Sequence, residues 1–248
     1  MEKPFSLSGK TVLITGAASG IGRATAKQCY SMGASLVLLD LNEDGLNTVK
    51  QEIGDESVVS YALNLTDYEA LCNMVGQLPK LDGVFSNAGI VMSLMAKFSG
   101  KEDMEKIFNV NTFSHINLIQ QIMAQKKLNK GASIVFTSSM SGVYAGLVGG
   151  SLYGATKAAI AGYTKALAIE LAPRGIRVNT IHPGMIETPL TKGTALSQDV
   201  LDEDAKNYPL GRYGKPEEVA YAVVYLLSDA TVWMTGSQLL LDGGYSVK

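Results

Sequence analysis

Thr15-Gly16-Ala17-Ala18-Ser19-Gly20-Ile21-Gly22 is the stretch on which the reading of this chain turns. It follows the apolar run Thr11 to Thr15 and opens a helical pattern that continues to Met32. Three glycines between a strand and a helix permit a tight turn, close backbone approach to a phosphate and close helix–strand packing. The free N–H groups of the helix that follows then face an anion. The spacing is Gly-x-x-x-Gly-x-Gly, which differs from the more familiar Gly-x-Gly-x-x-Gly. Its position after the first strand makes Gly16, Ser19, Gly20, Ile21 and Gly22 candidates for binding a dinucleotide.

Downstream the same alternation continues. Candidate strands are Thr11 to Thr15, Ser35 to Leu39, Val58 to Ala62, Gly83 to Ser86, Ser133 to Thr137, Arg177 to Ile181 and Gln238 to Leu241. Runs such as VLI, LVLL and IVF are apolar throughout, as strands covered on both faces require. Helical patterns lie between them, at Ile21 to Met32, Asp44 to Ile53, Tyr68 to Gln77, Lys101 to Lys127, Leu152 to Leu171 and Pro216 to Leu227. This predicts an α/β fold, a doubly wound seven-stranded parallel sheet with helices on both faces and right-handed crossovers. No linker or repeat interrupts the rhythm, so residues 1–248 read as a single domain. Pro189 to Gly214 departs from it, acidic in its middle and bounded by Pro and Gly, and reads as a lid excursion with a short helix from Ser197 to Asn207.

Composition excludes several classes. The chain has 248 residues, 21 Lys plus Arg against 23 Asp plus Glu, and a net charge of -2. That balance predicts neither nucleic-acid binding nor electrostatic attachment to a membrane. The uncharged stretch from Gly131 to Thr156 is too rich in Ser, Thr and Gly to read as a membrane span. The N-terminal residues lack a signal-peptide pattern, so a cytoplasmic location is expected. Cys29 and Cys72 have no partner spacing, which predicts neither a disulfide framework nor a metal site. Glycine is abundant at 26 residues, and charged residues make up only 18%.

Asp40 ends the second strand, 18 positions after Gly22. A carboxylate there accepts hydrogen bonds from a ribose diol and repels a 2′-phosphate. Leu41 and Asn42 are neutral, and Arg23 is the one nearby base. The expected cofactor is therefore NAD, with NADP the lesser possibility. At the other end of the chain, Tyr153 and Lys157 fall on one face of a helix, four residues apart. A neutral phenol is a poor base at pH 7, and an adjacent cation favours its ionised form. Such a pair can protonate a carbonyl oxygen or deprotonate an alcohol. The preceding strand ends at Thr137-Ser138-Ser139, at the sheet edge where open α/β sheets bind ligands.

Taken together, TGAASGIG, Asp40, Asn87-Ala88-Gly89, Asn111, Ser139, Tyr153 with Lys157, Pro183-Gly184, Thr235-Gly236 and Asp242-Gly243-Gly244 resemble the classical short-chain dehydrogenase/reductase family over essentially the full chain. The resemblance implies a Rossmann fold and hydride transfer between a nicotinamide and a carbonyl carbon, without a metal. Tyr153 would be the general acid/base, and Lys157 would lower its pKa and bind the nicotinamide ribose. Ser139 would bond the substrate oxygen, with Ser138 as the alternative hydroxyl, and Asn111 would hold a proton-relaying water. The cofactor would also contact Leu41, Asn64, Leu65, Asn87, Ala88, Gly89, Pro183, Gly184, Ile186 and Thr188. This chain departs from the family at Asn64-Leu65, where many relatives have Asp, and at Ser86 before Asn87. Thirteen residues separate Ser139 from Tyr153, one more than is usual, and the extra one falls near Tyr144. His115 and His182 are read as structural.

The expected pocket lining of Met140, Tyr144, Leu147, Met185, Leu190 and Leu196 suits a small uncharged alcohol or ketone. The alternatives are an NADPH-dependent 3-oxoacyl-acyl-carrier-protein reductase, using Lys126, Lys127, Lys130 and Arg174 toward an acidic carrier, and a non-catalytic nucleotide-sensing module. Charge is sparse between Asn109 and Ala124 and along the helix from Leu152 to Leu171, and the resemblance implies that these helices pair across subunits, so a homotetramer is expected, with a dimer next.

Overall fold

The computed structural model describes residues 4–192 and 198–248. Seven strands form one sheet: β1 (Thr11–Thr15), β2 (Ser35–Asp40), β3 (Val59–Ala62), β4 (Leu81–Ser86), β5 (Leu128–Thr137), β6 (Arg177–Pro183) and β7 (Gln238–Leu241). The order is β3-β2-β1-β4-β5-β6-β7 and every pairing is parallel. Chain direction across the sheet reverses between β1 and β4, and a crevice opens beyond their carboxyl ends.

Alternation along the strands divides the core in two. Leu13, Val37, Leu39, Val84, Ile134, Phe136 and Val178 bury one face against helices α3 (Tyr68–Gln77), α5 (Ser114–Ala124) and α6 (Ser151–Leu171). Val12, Ile14, Leu36, Leu38, Phe85, Val135 and Ile181 bury the other against α1 (Gly20–Ser31), α2 (Glu43–Ile53) and α9 (Pro216–Leu227). Because helices cover both faces, the strands are apolar at successive positions, which is why their runs were conspicuous.

Four expectations need correction. The predicted helix from Lys101 to Lys127 is α4 (Lys101–Phe108), a π-helical turn (Asn109–Phe113) and α5, which ends at Ala124. Lys126 takes a positive φ of 54°, and Lys127 leads straight into β5, which starts five residues earlier than Ser133. Helical periodicity cannot reveal a single wide turn, because the apolar face persists across it. β6 extends to Pro183, carrying His182 into the sheet. The excursion after β6 holds α7 (Pro189–Lys192) and α8 (Gln198–Ala205), which ends two residues before the predicted Asn207, while the predicted start at Ser197 lies outside the described residues.

Candidate active site

The glycine loop is built around contacts that exclude side chains. A Cβ on Gly22 would lie 1.9 Å from the Gly16 carbonyl oxygen, and one on Gly16 would meet Asn87 and Ala88 at 3.0 Å. Gly16 has φ +66°, where side chains are strained. Ser19 is the N-cap of α1, yet its hydroxyl makes no capping bond, and the first turn carries no acid. That end of α1 suits an anionic ligand. Thr188 packs against the other side of Gly20, at 3.1 Å from a Cβ built there, so the loop after β6 meets the glycine loop.

Asp40 ends β2 with both carboxylate oxygens on backbone: Oδ2 accepts from Ala18 N at 3.0 Å and Oδ1 from Asn42 N at 2.9 Å. It ties the glycine loop to the edge of the neighbouring strand. Arg23, the candidate cation for a 2′-phosphate, is instead paired with Glu52 of α2. Leu41 is 73% exposed, while Asn42 caps α2 through Gly45 N. Asn64 lies on the surface with Oδ1 accepting from Thr66. Leu65 is buried in the core, so any contact it makes with a cofactor comes from its backbone.

The ends of β1, β4 and β5 are stitched by hydroxyls, of which sequence reasoning had placed Thr137 at the sheet edge and passed over Thr15. Thr15 Oγ1 accepts from the backbone N–H of Asn87 at 2.8 Å and of Ala88 at 3.0 Å. Thr137 donates to Asn87 Oδ1 at 2.9 Å. His115 donates from Nε2 to the Ala88 carbonyl at 2.7 Å and accepts from Ser86 at Nδ1, 2.5 Å away. Burial, reinforced by the Lys157 charge, drives its pKa down to about 3, so the ring is neutral and structural. Threonine at a strand end was the available signal for the first two. His115 carried none, because its partners lie 27 and 29 residues away.

Opposite this corner, α6 delivers Tyr153 and Lys157. Lys157 is 3% exposed, donates to the Thr137 carbonyl at 3.0 Å and has its pKa pushed by burial down to about 8. Its Nζ lies 5.8 Å from the centre of the Tyr153 ring. Burial raises the Tyr153 pKa, and the group that draws it down is Ser139. Ser139 Oγ accepts from Ser141 N at 3.1 Å, which leaves its hydrogen free to donate toward Tyr153 or a substrate. Ser138 spends its hydroxyl on the Lys157 carbonyl at 2.9 Å, which removes it as the alternative.

Asn111 sits in the π-helical turn and grips Ile90 from both sides. Its Oδ1 accepts from Ile90 N at 2.8 Å and its Nδ2 donates to Ile90 O at 2.9 Å. A Cβ on Gly89 would lie 3.2 Å from Asn111 Oδ1 and 3.5 Å from Lys157 Nζ. The wider turn thus brings Asn111 beside the ammonium.

On the substrate side the turn from Met140 to Ala145 packs directly on α6. A Cβ on Gly142 would fall 2.2 Å from the Gly154 carbonyl oxygen, one residue past Tyr153. Tyr144 and Leu147 are each 40% exposed at this rim, Met185 is half-buried and Met140 is buried inside. Leu196 and the side chain of Leu190 lie outside the described residues. The loop after β6 is held by Pro183 and Gly184, whose N–H donates to Leu241 O at 2.9 Å, and by a bridge between Ile186 and Gly214. Among the described residues no acid, His or Cys cluster could hold a metal, and no helix is long and apolar enough to cross a membrane.

Known proteins with the same arrangement are numerous. A family model described as Enoyl-(Acyl carrier protein) reductase matches residues 16–246. The chain is 38% identical over 244 residues to a 3-oxoacyl-(acyl-carrier-protein) reductase of Thermotoga maritima, covering 96% of this chain and 98% of that one. It is 36% identical over 251 residues to an NAD-dependent glycerol dehydrogenase of Listeria innocua, covering 100% and 98%. A solved short-chain type dehydrogenase/reductase from Mycobacterium marinum superposes with a TM-score of 0.89 at 34% identity, over 99% of this chain and 98% of that chain.

Proposed function

The chain belongs to the short-chain dehydrogenase/reductase family, an oxidoreductase of CH–OH and keto groups, and from that premise we propose that it transfers hydride between NAD(H) and a small secondary alcohol or ketone. Enzymatic membership sets aside the non-catalytic sensing module. The observation that carries the proposal is the convergence of Ser139, Tyr153 and Lys157 at the carboxyl ends of β5 and α6's first turns, beside a glycine loop shaped for a dinucleotide.

The residues fit a nicotinamide dinucleotide. Gly16, Ser19, Gly20, Ile21 and Gly22 would face the pyrophosphate, Asp40 and Leu41 the adenosine ribose, and Asn64 and Leu65 the adenine. Asn87, Ala88 and Gly89, with Pro183, Gly184, Ile186 and Thr188, would flank the nicotinamide end. When bound, the dinucleotide supplies the hydride acceptor or donor. Tyr153 takes the alcohol proton during oxidation and returns it during reduction, while Ser139 donates to the substrate oxygen. Lys157 binds the nicotinamide ribose and stabilises the phenolate in that bound state. Asn111, braced on Ile90, is proposed to hold the water that passes protons outward from Lys157.

NAD is preferred in this reading because Asp40 stands at the ribose end of β2 while Arg23 is engaged by Glu52. Free substrate is preferred because Lys127 and Arg174 donate to backbone carbonyls near the start of β5, at the sheet edge remote from Tyr153. The lid helix α8 also carries Asp199, Asp202, Glu203 and Asp204, which disfavour an acidic carrier. A second reading, NADPH-dependent reduction of 3-oxoacyl-acyl-carrier-protein, draws on the likeness to the Thermotoga maritima reductase.

Initial rates for secondary alcohols, ketones and a 3-oxoacyl thioester, each with NAD(H) and NADP(H), separate the two. Faster turnover of the thioester with NADPH would establish the second reading and overturn the first. A cytoplasmic homotetramer completes the proposal, with the exposed small residues Ala155, Ala159, Gly162 and Ala166 of α6 covered by another copy. Sedimentation as a monomer would refute that assembly.

A further inference from the structure

His182 is the penultimate residue of β6, fully buried, with both ring nitrogens engaged. Nδ1 is 2.9 Å from the Ser139 carbonyl oxygen, and Nε2 is 2.8 Å from Thr180 Oγ1. A carbonyl oxygen only accepts, so Nδ1 carries the proton and Nε2 accepts from the threonine hydroxyl. Burial keeps the imidazole neutral, and the charges of Lys157 and Lys165 act in the same direction.

The ring has a second contact. Tyr144 meets it edge to face, with centroids 5.3 Å apart and planes at 88°, and Tyr144 OH donates to Gln238 Oε1 at 3.3 Å. Tyr144 stands on the turn that packs against Gly154, beside Tyr153. On either side of this contact the backbone joins the two segments, with Ser138 N donating to Ile181 O and Met140 N to Pro183 O. The Ser139 carbonyl between them is bound by the imidazole.

We infer that His182 is a positioning residue for the substrate side of the site, setting the Ser139 peptide through Nδ1 and the Tyr144 ring through edge-to-face contact. One buried imidazole then couples two tasks: orienting the hydroxyl that meets the substrate oxygen, and fixing the aromatic rim against which the substrate body rests. The inference rests on the proposed role of Ser139 as donor to the substrate oxygen.

Two variants divide the tasks. His182→Phe keeps a ring beside Tyr144 and loses the bond to Ser139; kcat is expected to fall about tenfold, the scale of one neutral hydrogen bond. Substrate KM and the cofactor Kd from fluorescence titration stay within about twofold of wild type. His182→Asn retains a donor and loses the ring; it is expected to keep most of kcat and to raise substrate KM about threefold or more, the scale of one aromatic pair. A general structural defect would instead move Tm, cofactor Kd, kcat and KM together. Wild-type kcat and KM in both folded variants, with Ser139→Ala impaired, would overturn the inference alone. A wild-type rate in Ser139→Ala would overturn the reading of Ser139 and the inference with it. Should His182→Phe not fold, Thr180→Val removes the hydroxyl from which Nε2 accepts and so loosens the ring that holds the Ser139 carbonyl. A lower kcat at unchanged cofactor Kd supports the link, and an unchanged kcat overturns it.

Discussion

Lys157 directs its ammonium to the carbonyl oxygen of Thr137 at 3.0 Å, and not to the hydroxyl of Tyr153. The charge therefore sits at the carboxyl end of β5, behind the phenol, in a pocket dry enough to bring its pKa down to about 8. Two separate jobs follow for the two residues, and they are separable by substitution.

Tyr153→Phe removes the proton-transferring hydroxyl and leaves the ring against Lys157. Turnover is expected to drop by about a hundredfold or more, the usual scale for a lost general acid/base. Cofactor Kd stays near wild type. Lys157→Met is expected to lose turnover and also to weaken cofactor binding. Fluorescence titration alongside steady-state rates checks both, and a near-wild-type rate for Tyr153→Phe would refute the assignment.

Asp40 governs cofactor choice in a second test. NADH is expected to outperform NADPH in kcat/KM by at least about tenfold. Asp40→Ser combined with Leu41→Arg removes the repelling carboxylate and adds a phosphate partner at an exposed position. The preference is expected to narrow or invert. Because Asp40 also receives Ala18 N and Asn42 N, the variant loses stability, which thermal melting measures independently.

His115 predicts a pH effect on stability. Its folded pKa is about 3 against an unfolded value near 6.5, so between those limits the unfolded chain binds the extra proton. Stability is therefore present above pH 6.5 and falls as pH drops toward 3. From pH 7 to pH 5 the expected loss is about 2 kcal/mol from this group. His182 adds a loss of the same sign. Urea denaturation of wild type and His115→Gln at pH 7 and 5 tests this, with a shallower pH dependence expected in the variant. Equal dependence in both proteins would exclude His115 as the source.

Two glycines should respond in opposite ways to alanine. Gly22→Ala drives a Cβ into the Gly16 carbonyl and is expected to cost about 2–3 kcal/mol and abolish cofactor binding. Gly76, in α3, would meet only Gln125 Oε1 at an ordinary 3.5 Å. Gly76→Ala is expected to stabilise by about 0.5–1 kcal/mol through reduced unfolded-state entropy. Chemical denaturation of the two variants reads both signs.

Local order carried most of the architecture. Apolar strand runs, the glycines after β1 and the four-residue spacing of Tyr153 and Lys157 are short-range patterns, and each survives unchanged in the folded chain. What escaped was longer in reach. The π-helical turn at Asn109–Phe113 hides inside a continuous helical periodicity, although it is what brings Asn111 to Ile90. Thr15, Thr137 and His115 gain their meaning from partners 27 to 73 residues away.

The sequence alone was enough to specify a doubly wound parallel sheet with a dinucleotide cradle, because backbone sterics and strand burial act over a few residues. Only the tertiary structure shows how the two neighbouring hydroxyls are used, Ser138 donating to the Lys157 carbonyl and Ser139 accepting from Ser141 N. It likewise paired Arg23 with Glu52 and turned His182 toward Ser139. Hydrogen-bond partners are a property of packed surfaces, and packing joins residues that the chain itself keeps far apart.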